Sequence, residues 1–306
     1  MMIAPGFIGI DVSKDHLDIH DGGAVRIANQ AVAIADWVSR LDRGVFVQFE
    51  ATGRYDRALR AALDGAAIAY NRANPAQARA FARSLGQLAK TDAIDARLLA
   101  LMGQALSPAV RPQRSAARDR LGELHVRRDQ LVATRQQERT RAHEATDPDA
   151  ARDIAEHIDW LSVRIKQFET RIAALIAAAD ELAHDHRLLR SLPGFGPVNA
   201  EIVMAVLPET GSRSPKTIAA LAGLAPINRD SGRLRGKRSI GGGRPRVRKA
   251  LYMAAVTATR TDPTLKAFYQ RLTTAGKAPK LALIAVARKL IVFANAVLRD
   301  NKPYQA

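Results

Sequence analysis

Three stretches of different character are expected: an α/β N-terminal part, a long helical hairpin, and a basic, mostly α-helical C-terminal part. Three observations carry this. Short β-branched and aromatic runs alternate with helical patterns over 7–105, an apolar heptad repeat runs from Ile154 to Leu182, and the last third holds helices around a Gly/Arg-rich loop. Boundaries are placed at 1–112, 113–185 and 186–306.

In the first part, "FIGIDV" (7–12) reads as a buried strand, "HLDIH" (16–20) as its hairpin partner and "AVRIAN" (24–29) as a third strand. A helix over about 31–42 precedes the strand "GVFVQFE" (44–50). The amphipathic helix 54–66, a strand at 67–73 and a helix at 91–105 follow. Three strands and then strand–helix alternation describe a mixed sheet with helices on its faces. In the second part, the apolar positions Ile154, Ile158, Leu161, Ile165, Phe168, Ile172, Leu175, Ala179 and Leu182 step by four and three, the seam of a coiled coil. "ATDPDA" (145–150) turns the chain back toward the Arg-rich helix carrying Leu121, Leu124 and Leu131. So regular a seam is expected to serve self-association, with packing inside one chain as the alternative. In the third part, "LPGFGPVNAEIVMAVLPE" (192–209) is a Gly-rich turn opening a helix, and "SPKTIAALAGLAP" (214–226) is a helix with a proline stop. Residues 227–249 form a loop, and two helices follow at about 246–260 and 278–299.

Composition narrows the function classes. The 47 Lys+Arg against 30 Asp+Glu give a formal charge of +17, which favours a polyanionic partner, nucleic acid first. No cysteine is present, so disulfides and thiolate zinc sites are excluded. The stretch "MMIAPGFIGIDVSKD" has no basic n-region and meets Asp11 early, unlike a signal peptide. No uninterrupted apolar run approaches the ~20 residues of a span. A cytoplasmic, soluble, bacterial-type protein without a membrane partner is expected.

Four carboxylates invite attention. Asp11 ends one buried strand, Glu50 ends another, and Asp92 and Asp95 share one face of the next helix. Strand ends meet at one edge of a sheet, and a helix on its face can lean over that edge, so the four acids can converge. Uncompensated they would repel. A hard divalent cation answers that repulsion, and paired magnesium ions form the clamp of many phosphoryl-transfer enzymes. Each acid alone has a blander reading: Asp11 as a turn residue, Asp92 and Asp95 as first-turn acids favoured by the helix dipole.

"IGIDVSKDHLDIH", "FEATGRYDRAL" and "KTDAIDARLLA" resemble the three acidic motifs of the RNase H/RuvC-like domain of DEDD insertion-sequence transposases. "LPGFGPVNAEIVMAVLPE", "LAGLAP" and "DSG" with its basic surroundings resemble that family's C-terminal transposase domain. The resemblance implies a metal-binding tetrad of Asp11, Glu50, Asp92 and Asp95 holding Mg2+, with Mn2+ as the substitute. It also implies Ser231 as nucleophile for a covalent phosphoserine, donor and target DNA as substrates, and an element-encoded structured RNA as guide. A multimer, dimer or tetramer, assembled through the coiled coil completes the picture. Without the resemblance, Ser231 is a loop serine in a Ser-Gly turn.

From Arg213 to Lys249 there are eleven Lys/Arg and one acid, Asp230, a field suited to phosphates. Arg229, Arg233, Arg235, Lys237, Arg238, Arg244 and Arg246 are the expected nucleic-acid contacts. Gly194 and Gly196 resemble a helix-hairpin-helix turn whose N–H groups approach a phosphate, against the alternative of a plain helix connection. "GGGRPR" (241–246) lacks the Gly-Lys-Ser/Thr ending of a phosphate loop and reads as a flexible basic loop, and "HDH" (184–186) reads as a solvated helix end. Three rivals stand beside the recombinase: a RuvC-like junction nuclease without covalent intermediate, a non-catalytic nucleic-acid-binding protein and, more distantly, a sugar-kinase-like ATPase, which also opens with a strand ending in Asp but for which no second phosphate loop accompanies Asp11.

Overall fold

The computed structural model describes residues 3, 4, 6–51, 53, 55–86, 92–108, 115–228, 236 and 238–305; of Asp92 and Ala93 it describes the backbone alone. The chain forms two compact units, Met1–Gln113 and Arg114–Ala306.

The first unit is a five-stranded mixed sheet in the order β3-β2-β1-β4-β5. Strands β1 (Phe7–Val12), β2 (His16–His20) and β3 (Ala24–Ala28) form an antiparallel meander; β4 (Phe46–Glu50) and β5 (Ala69–Ala73) add in parallel beside β1. Period-2 alternation sorts the side chains into two faces. Ile8, Ile10, Val12, Leu17, Ile19, Val47, Phe49 and Tyr70 face the helices α1 (Ala31–Ser39) and α2 (Arg57–Gly65), which contribute Ile34, Trp37, Val38, Leu59 and Leu63 to one core. The opposite face carries α4 (Asp92–Leu106), whose Leu99 and Met102 pack with Ala73 and, from α3 (Pro75–Ser84), Ala78 and Phe81. This mixed sheet clad in helices is consistent with the RNase H-like fold that the resemblance implies. Helix α3 lies in a stretch for which the sequence carries no expectation. Asn74 caps it by accepting from the Ala76 N–H, and Pro75 supplies the preset φ of a first helical residue.

The second unit is helical. Helices α5 (Ala116–Glu144) and α6 (Pro148–Ala178) run antiparallel, as the pairing of Arg128 with Glu169 and of Arg135 with Ser162 requires. Asp147 starts α6 by accepting from the N–H groups of Asp149 and Ala150. Leu161, Ile165 and Phe168 bury against Leu131 of α5, so this stretch of the seam is filled within the chain and does not call for a second copy. The repeat also stops short of Leu182 as one helix. Ala179 is extended, and α7 (Asp180–Arg190) begins afresh. Ile172, Ile176 and Leu121 instead join a second core with α7, α8 (Pro197–Val206), α9 (Pro215–Leu221), α10 (Pro245–Thr261), α11 (Pro263–Thr274) and α12 (Pro279–Asp300). The hairpin base and the C-terminal helices therefore share apolar packing.

Helix α12 is by length and composition able to cross a membrane. Its Val286, Ala287, Leu290, Ile291 and Ala294 are buried in the centre of this core, and Lys280, Arg288 and Lys289 interrupt its apolar run. Helix α11 was not expected from the sequence; Asp262 caps it through the Leu265 N–H at 2.7 Å, with Pro263 next. A two-residue ladder, β6 (Pro226–Ile227) with β7 (Ser239–Ile240), stands inside the stretch expected to be all loop.

Candidate active site

The sheet register sets the site. Asp11 lies opposite Asp18 of β2, and Asp18 lies opposite Arg26 of β3. On the other side, β1 and β4 pair up to Ile10 with Phe49, which leaves Asp11 and Glu50 next along two neighbouring parallel strands; Glu50 is level with Ala73. Because Ile10 and Phe49 face the α1/α2 core, Asp11 and Glu50 face the other way, toward α4. One row, Arg26–Asp18–Asp11–Glu50–Ala73, thus crosses the whole sheet on one face. Adjacent strands stand about 4.8 Å apart, so the acids are near neighbours.

Helix α4 is brought to this row by Gly9, two residues before Asp11. A Cβ at Gly9 would stand 1.9 Å from the Ala96 carbonyl oxygen and 2.4 Å from the Ala100 nitrogen. Only a residue without a side chain admits the helix backbone so close. Ala96 follows Asp95, so the contact that glycine permits sits beside the first turn of α4, which holds Asp92 and Asp95. Farther along, Gly103 rests over Gln48, whose buried amide has no hydrogen-bond partner among the described residues. Asp11, Glu50 and Asp95 are each partly buried. Among the described residues no group of three or more His, Cys, Asp or Glu closes into a metal cluster, and the Asp92 carboxylate lies outside that description. The donor chemistry fits a hard cation: every candidate ligand is a carboxylate oxygen.

The loops behind the acids are pinned. Asn29 donates through Nδ2 to the carbonyls of Ser13 (2.7 Å) and Tyr55 (3.0 Å), joining the turn after Asp11 to the loop after Glu50. Asp56, fully buried, pairs with Arg60 at 3.1 Å and with Arg72 of β5. Arg72 also donates to the Gly53 carbonyl at 3.1 Å. No motif in the sequence marks Asp18, Arg26, Asn29 or Asp56. The hairpin signal at 13–15 would have placed Asp18 opposite Asp11, but nothing local marks the Asn29 and Arg72 contacts.

In the second unit, Ser231 and the neighbouring Arg229, Arg233, Arg235 and Lys237 lie outside the described residues. Their segment is bracketed by the β6–β7 ladder, which pairs Pro226 with Ile240 and Ile227 with Ser239. Below it the backbone of the α9 end touches that of the glycine run: a Cβ at Gly243 (φ +58°) would stand 2.2 Å from the Gly223 nitrogen. Arg248 donates to the Gly242 carbonyl at 3.0 Å, and the Arg244 N–H to the Leu221 carbonyl at 2.9 Å. Within "GGGRPR", Gly243 and Arg244 are therefore packed against the end of α9, while Gly242 faces open space.

The basic residues around it divide into two groups. Arg244 makes a bidentate pair with Glu209 at 2.6 and 2.7 Å, and Arg246 pairs with Asp129 of α5 at 2.5 Å while donating to His125 Nδ1 at 3.1 Å. Burial lowers the Arg246 pKa from its usual value, and Asp129 opposes that shift. Both guanidinium groups are engaged with the unit's own carboxylates. Arg238 is exposed. From Pro263 to Arg299 there are seven Lys/Arg and no acid, and Arg271 (5.3 Å) and Lys289 (4.6 Å) each lie over the ring of Phe268, a cationic and aromatic group that no sequence motif marks.

Gly194 (φ +76°) turns its bare α-carbon to α10, where a Cβ would stand 2.1 Å from the Ala254 carbonyl oxygen. Gly196, the residue before α8, faces open space and is exposed. Of the "HDH" stretch, Asp185 pairs with Arg118 and His184 with Asn301. Burial lowers the pKa of His186, opposed by the charge of Glu201. The three are tied into the fold rather than forming a solvated end.

Comparison with known proteins bears on both units. A family profile described as "Transposase" of DEDD type for IS110 elements matches residues 8–147, and one described as "Transposase IS116/IS110/IS902 family" matches residues 186–270. The "Pilin gene-inverting protein" of Moraxella bovis is 34% identical over 235 residues, covering 76% of this chain and 73% of the relative. Its namesake in Moraxella lacunata has the same identity and coverage. An "uncharacterized 42 kDa protein" of insertion element IS900 from Mycobacterium paratuberculosis is 34% identical over 154 residues, 47% of this chain and 38% of that protein.

Proposed function

The chain belongs to the DEDD-type transposase family of the IS110/IS116/IS902 insertion elements, and from that premise we propose that it cuts and rejoins DNA through a magnesium-dependent acidic site and a serine nucleophile. The observation that carries the reading is the cross-sheet row: Asp11 and Glu50 side by side on the face to which Gly9 admits α4 at Ala96 and Ala100, just past the turn that holds Asp92 and Asp95. Asp11, Glu50, Asp92 and Asp95 would hold the ion. When bound, magnesium supplies Lewis-acid stabilisation of a phosphoryl group and favours the ionised form of an attacking hydroxyl.

Ser231 is assigned the attack on phosphorus. A bond forms between its Oγ and phosphorus as the bond from phosphorus to the leaving sugar oxygen breaks, and the serine proton ends on that leaving oxygen. Returning the phosphoryl group to another strand's hydroxyl reverses these changes, so strands rejoin without a nucleotide cofactor. The ladder β6–β7 and the Gly223–Gly243 contact support this role by anchoring both ends of the Ser231 segment to the helical core. Arg238 and the basic side chains of α11 and α12 are suited to holding phosphates, whereas Arg244 and Arg246 brace the loop. The Moraxella relatives are named for inverting a pilin gene, and inversion needs rejoining as well as cutting, which favours the recombinase over a junction nuclease.

Guidance by an element-encoded RNA and assembly as a multimer in the bacterial cytoplasm complete the proposal, on the strength of the family resemblance. With Leu161, Ile165 and Phe168 occupied inside the hairpin, its outer face, where Trp160 and Val163 are exposed, is the surface for such assembly. The test is a covalent trap. Protein incubated with Mg2+ and DNA bearing the element's ends should yield a protease-sensitive adduct, absent in Ser231→Ala and in Asp11→Asn. Unimpaired strand cutting by Ser231→Ala would establish the metal-only nuclease, and unchanged DNA transactions in both variants would establish a non-catalytic binder. Sequencing of co-purifying nucleic acid tests the guide.

A further inference from the structure

Helices α11 and α12 carry a run of positive charge that the fold leaves unanswered. Between Pro263 and Arg299 the chain holds no acid. Arg299 pairs with Asp300, but Lys266, Arg271, Lys277, Lys280, Arg288 and Lys289 have no carboxylate partner among the described residues. Asp262, the acid just before α11, is buried as the cap of that helix. Like charges gathered on two packed helices repel one another, a cost that a polyanionic partner offsets. Two of the six cations are held in place. Phe268 and Arg271 stand one turn apart on α11, and Lys289 and Phe293 one turn apart on α12. The Arg271 guanidinium lies over the Phe268 ring at 5.3 Å. The Lys289 ammonium, coming from the other helix, lies 4.6 Å from the same ring and 5.8 Å from that of Phe293. Both charges are thus gathered about one ring as a pair. Arg271 is exposed, whereas Phe268, Lys289 and Phe293 are half-buried.

We propose that this α11/α12 surface docks the backbone of duplex DNA, with Arg271 and Lys289 as phosphate ligands and Phe268 as the residue that positions them. The proposal deepens the reading that the basic side chains of these helices hold phosphates; it rests on the DNA partner of that reading and on none of its catalytic residues. Long cationic side chains lose rotamer freedom when they bind, and seating both on one ring removes part of that loss beforehand. A ring face that carries a cation is not offered to an unstacked base, which favours backbone contact over single-strand stacking. Contacts to phosphate carry no sequence information, so the surface binds DNA of any sequence. The matched transposase profile ends at residue 270, so Arg271, Lys289 and Phe293 lie beyond the stretch it describes.

Full-length protein in EDTA is titrated with a short DNA duplex of arbitrary sequence, the RNA duplex of the same sequence and one DNA strand alone, each across a salt series. The salt slope for the DNA duplex should fall by about one in Arg271→Ala and in Lys289→Ala, and by about two in the double variant, as one and two fewer phosphates are neutralised. Phe268→Leu keeps both charges and the apolar contact but not the ring; it should keep the slope and weaken duplex binding several-fold. Phe268→Tyr, which restores the ring, should bind as the wild type does, a rescue that a general packing defect would not show. Because Arg271 is exposed, its variant tests the surface whatever Phe268→Leu does to folding. An unchanged slope in the double variant overturns the proposal. Wild-type affinity in Phe268→Leu overturns the role of Phe268, and a loss confined to the RNA duplex or the single strand overturns the assignment to duplex DNA. Asp11→Asn should bind the duplex as the wild type does while forming no adduct with Mg2+. Failure of the catalytic reading, seen as no adduct in the wild-type protein, is thereby told apart from failure of this one, seen in the salt slopes.

Discussion

Replacing Gly9 by alanine tests whether the approach of α4 to β1 builds the site. The added methyl would meet backbone atoms, the Ala96 oxygen at 1.9 Å and the Ala100 nitrogen at 2.4 Å, not the yielding end of a long side chain. Restoring ordinary van der Waals contact needs the helix to retreat by about 1.5 Å. Overpacking of this kind costs roughly 1–3 kcal/mol, and a backbone-on-backbone clash belongs at the upper end. A unit of this size should lose about 10 °C or more in melting temperature. The functional cost follows from geometry: a misplacement of about 1 Å in a reacting constellation costs on the order of 10²-fold in rate. Asp95, one residue from Ala96, moves with the helix while Asp11 and Glu50 stay on their strands. Thermal denaturation of the full chain, Mn2+ calorimetry and single-turnover adduct formation read the three consequences. Wild-type Mn2+ affinity and adduct rate in a folded Gly9→Ala protein would refute the argument that α4 contributes ligands.

Three further outcomes are expected. Asp56→Asn removes the carboxylate between Arg60 and Arg72 and should cost about 3 kcal/mol in urea unfolding, since a largely buried cation is left without its counter-charge; a change below about 0.5 kcal/mol would show that the pair is dispensable. Gly243→Ala wedges the support under the Ser231 segment, so adduct formation should fall by on the order of 10²-fold while Mn2+ affinity is unchanged; equal reduction of both would point to a global defect. The lowered pKa of His186, caused first by burial, means that the unfolded chain takes up a proton there more readily than the folded one. Its contribution to stability is present above the ordinary histidine pKa near 6.5 and is lost as pH falls through the lower folded value. His186→Gln should therefore flatten the pH dependence of the melting temperature between about pH 7 and pH 5, and an unaltered slope would remove His186 from the account.

The parts of this fold that were legible in the sequence are those set by local periodicity. Alternation in "FIGIDV", "HLDIH" and "FVQFE" placed the strands close to where they lie, and it also put Asp11 and Glu50 at strand ends. Helices α3 and α11 are begun by proline and a side-chain cap, signals that short amphipathic stretches easily hide. The heptad seam was legible as a buried face, but whether its cover came from a second copy or from α5 could not be read from spacing. In the basic loop, Arg244 and Arg246 look the same as Arg238. Their carboxylate partners, Glu209 and Asp129, lie 35 and 117 residues away, and a charge pattern along the chain carries no trace of such pairs.

What the sequence determined by itself was the inventory and its order: two strand-end acids, a helix-start pair, a Gly-rich turn, a basic loop with Ser231, and motifs resembling one family. Tertiary structure decided what stands beside what. Strand register, a property of two segments together, set Asp11 between Glu50 and Asp18 and made Arg26 the end of the row. The bare α-carbon of Gly9 became meaningful only against the backbone of α4, some ninety residues on. Side-chain type and period are local quantities, whereas charge pairing and close approach exist only once the chain has folded back on itself.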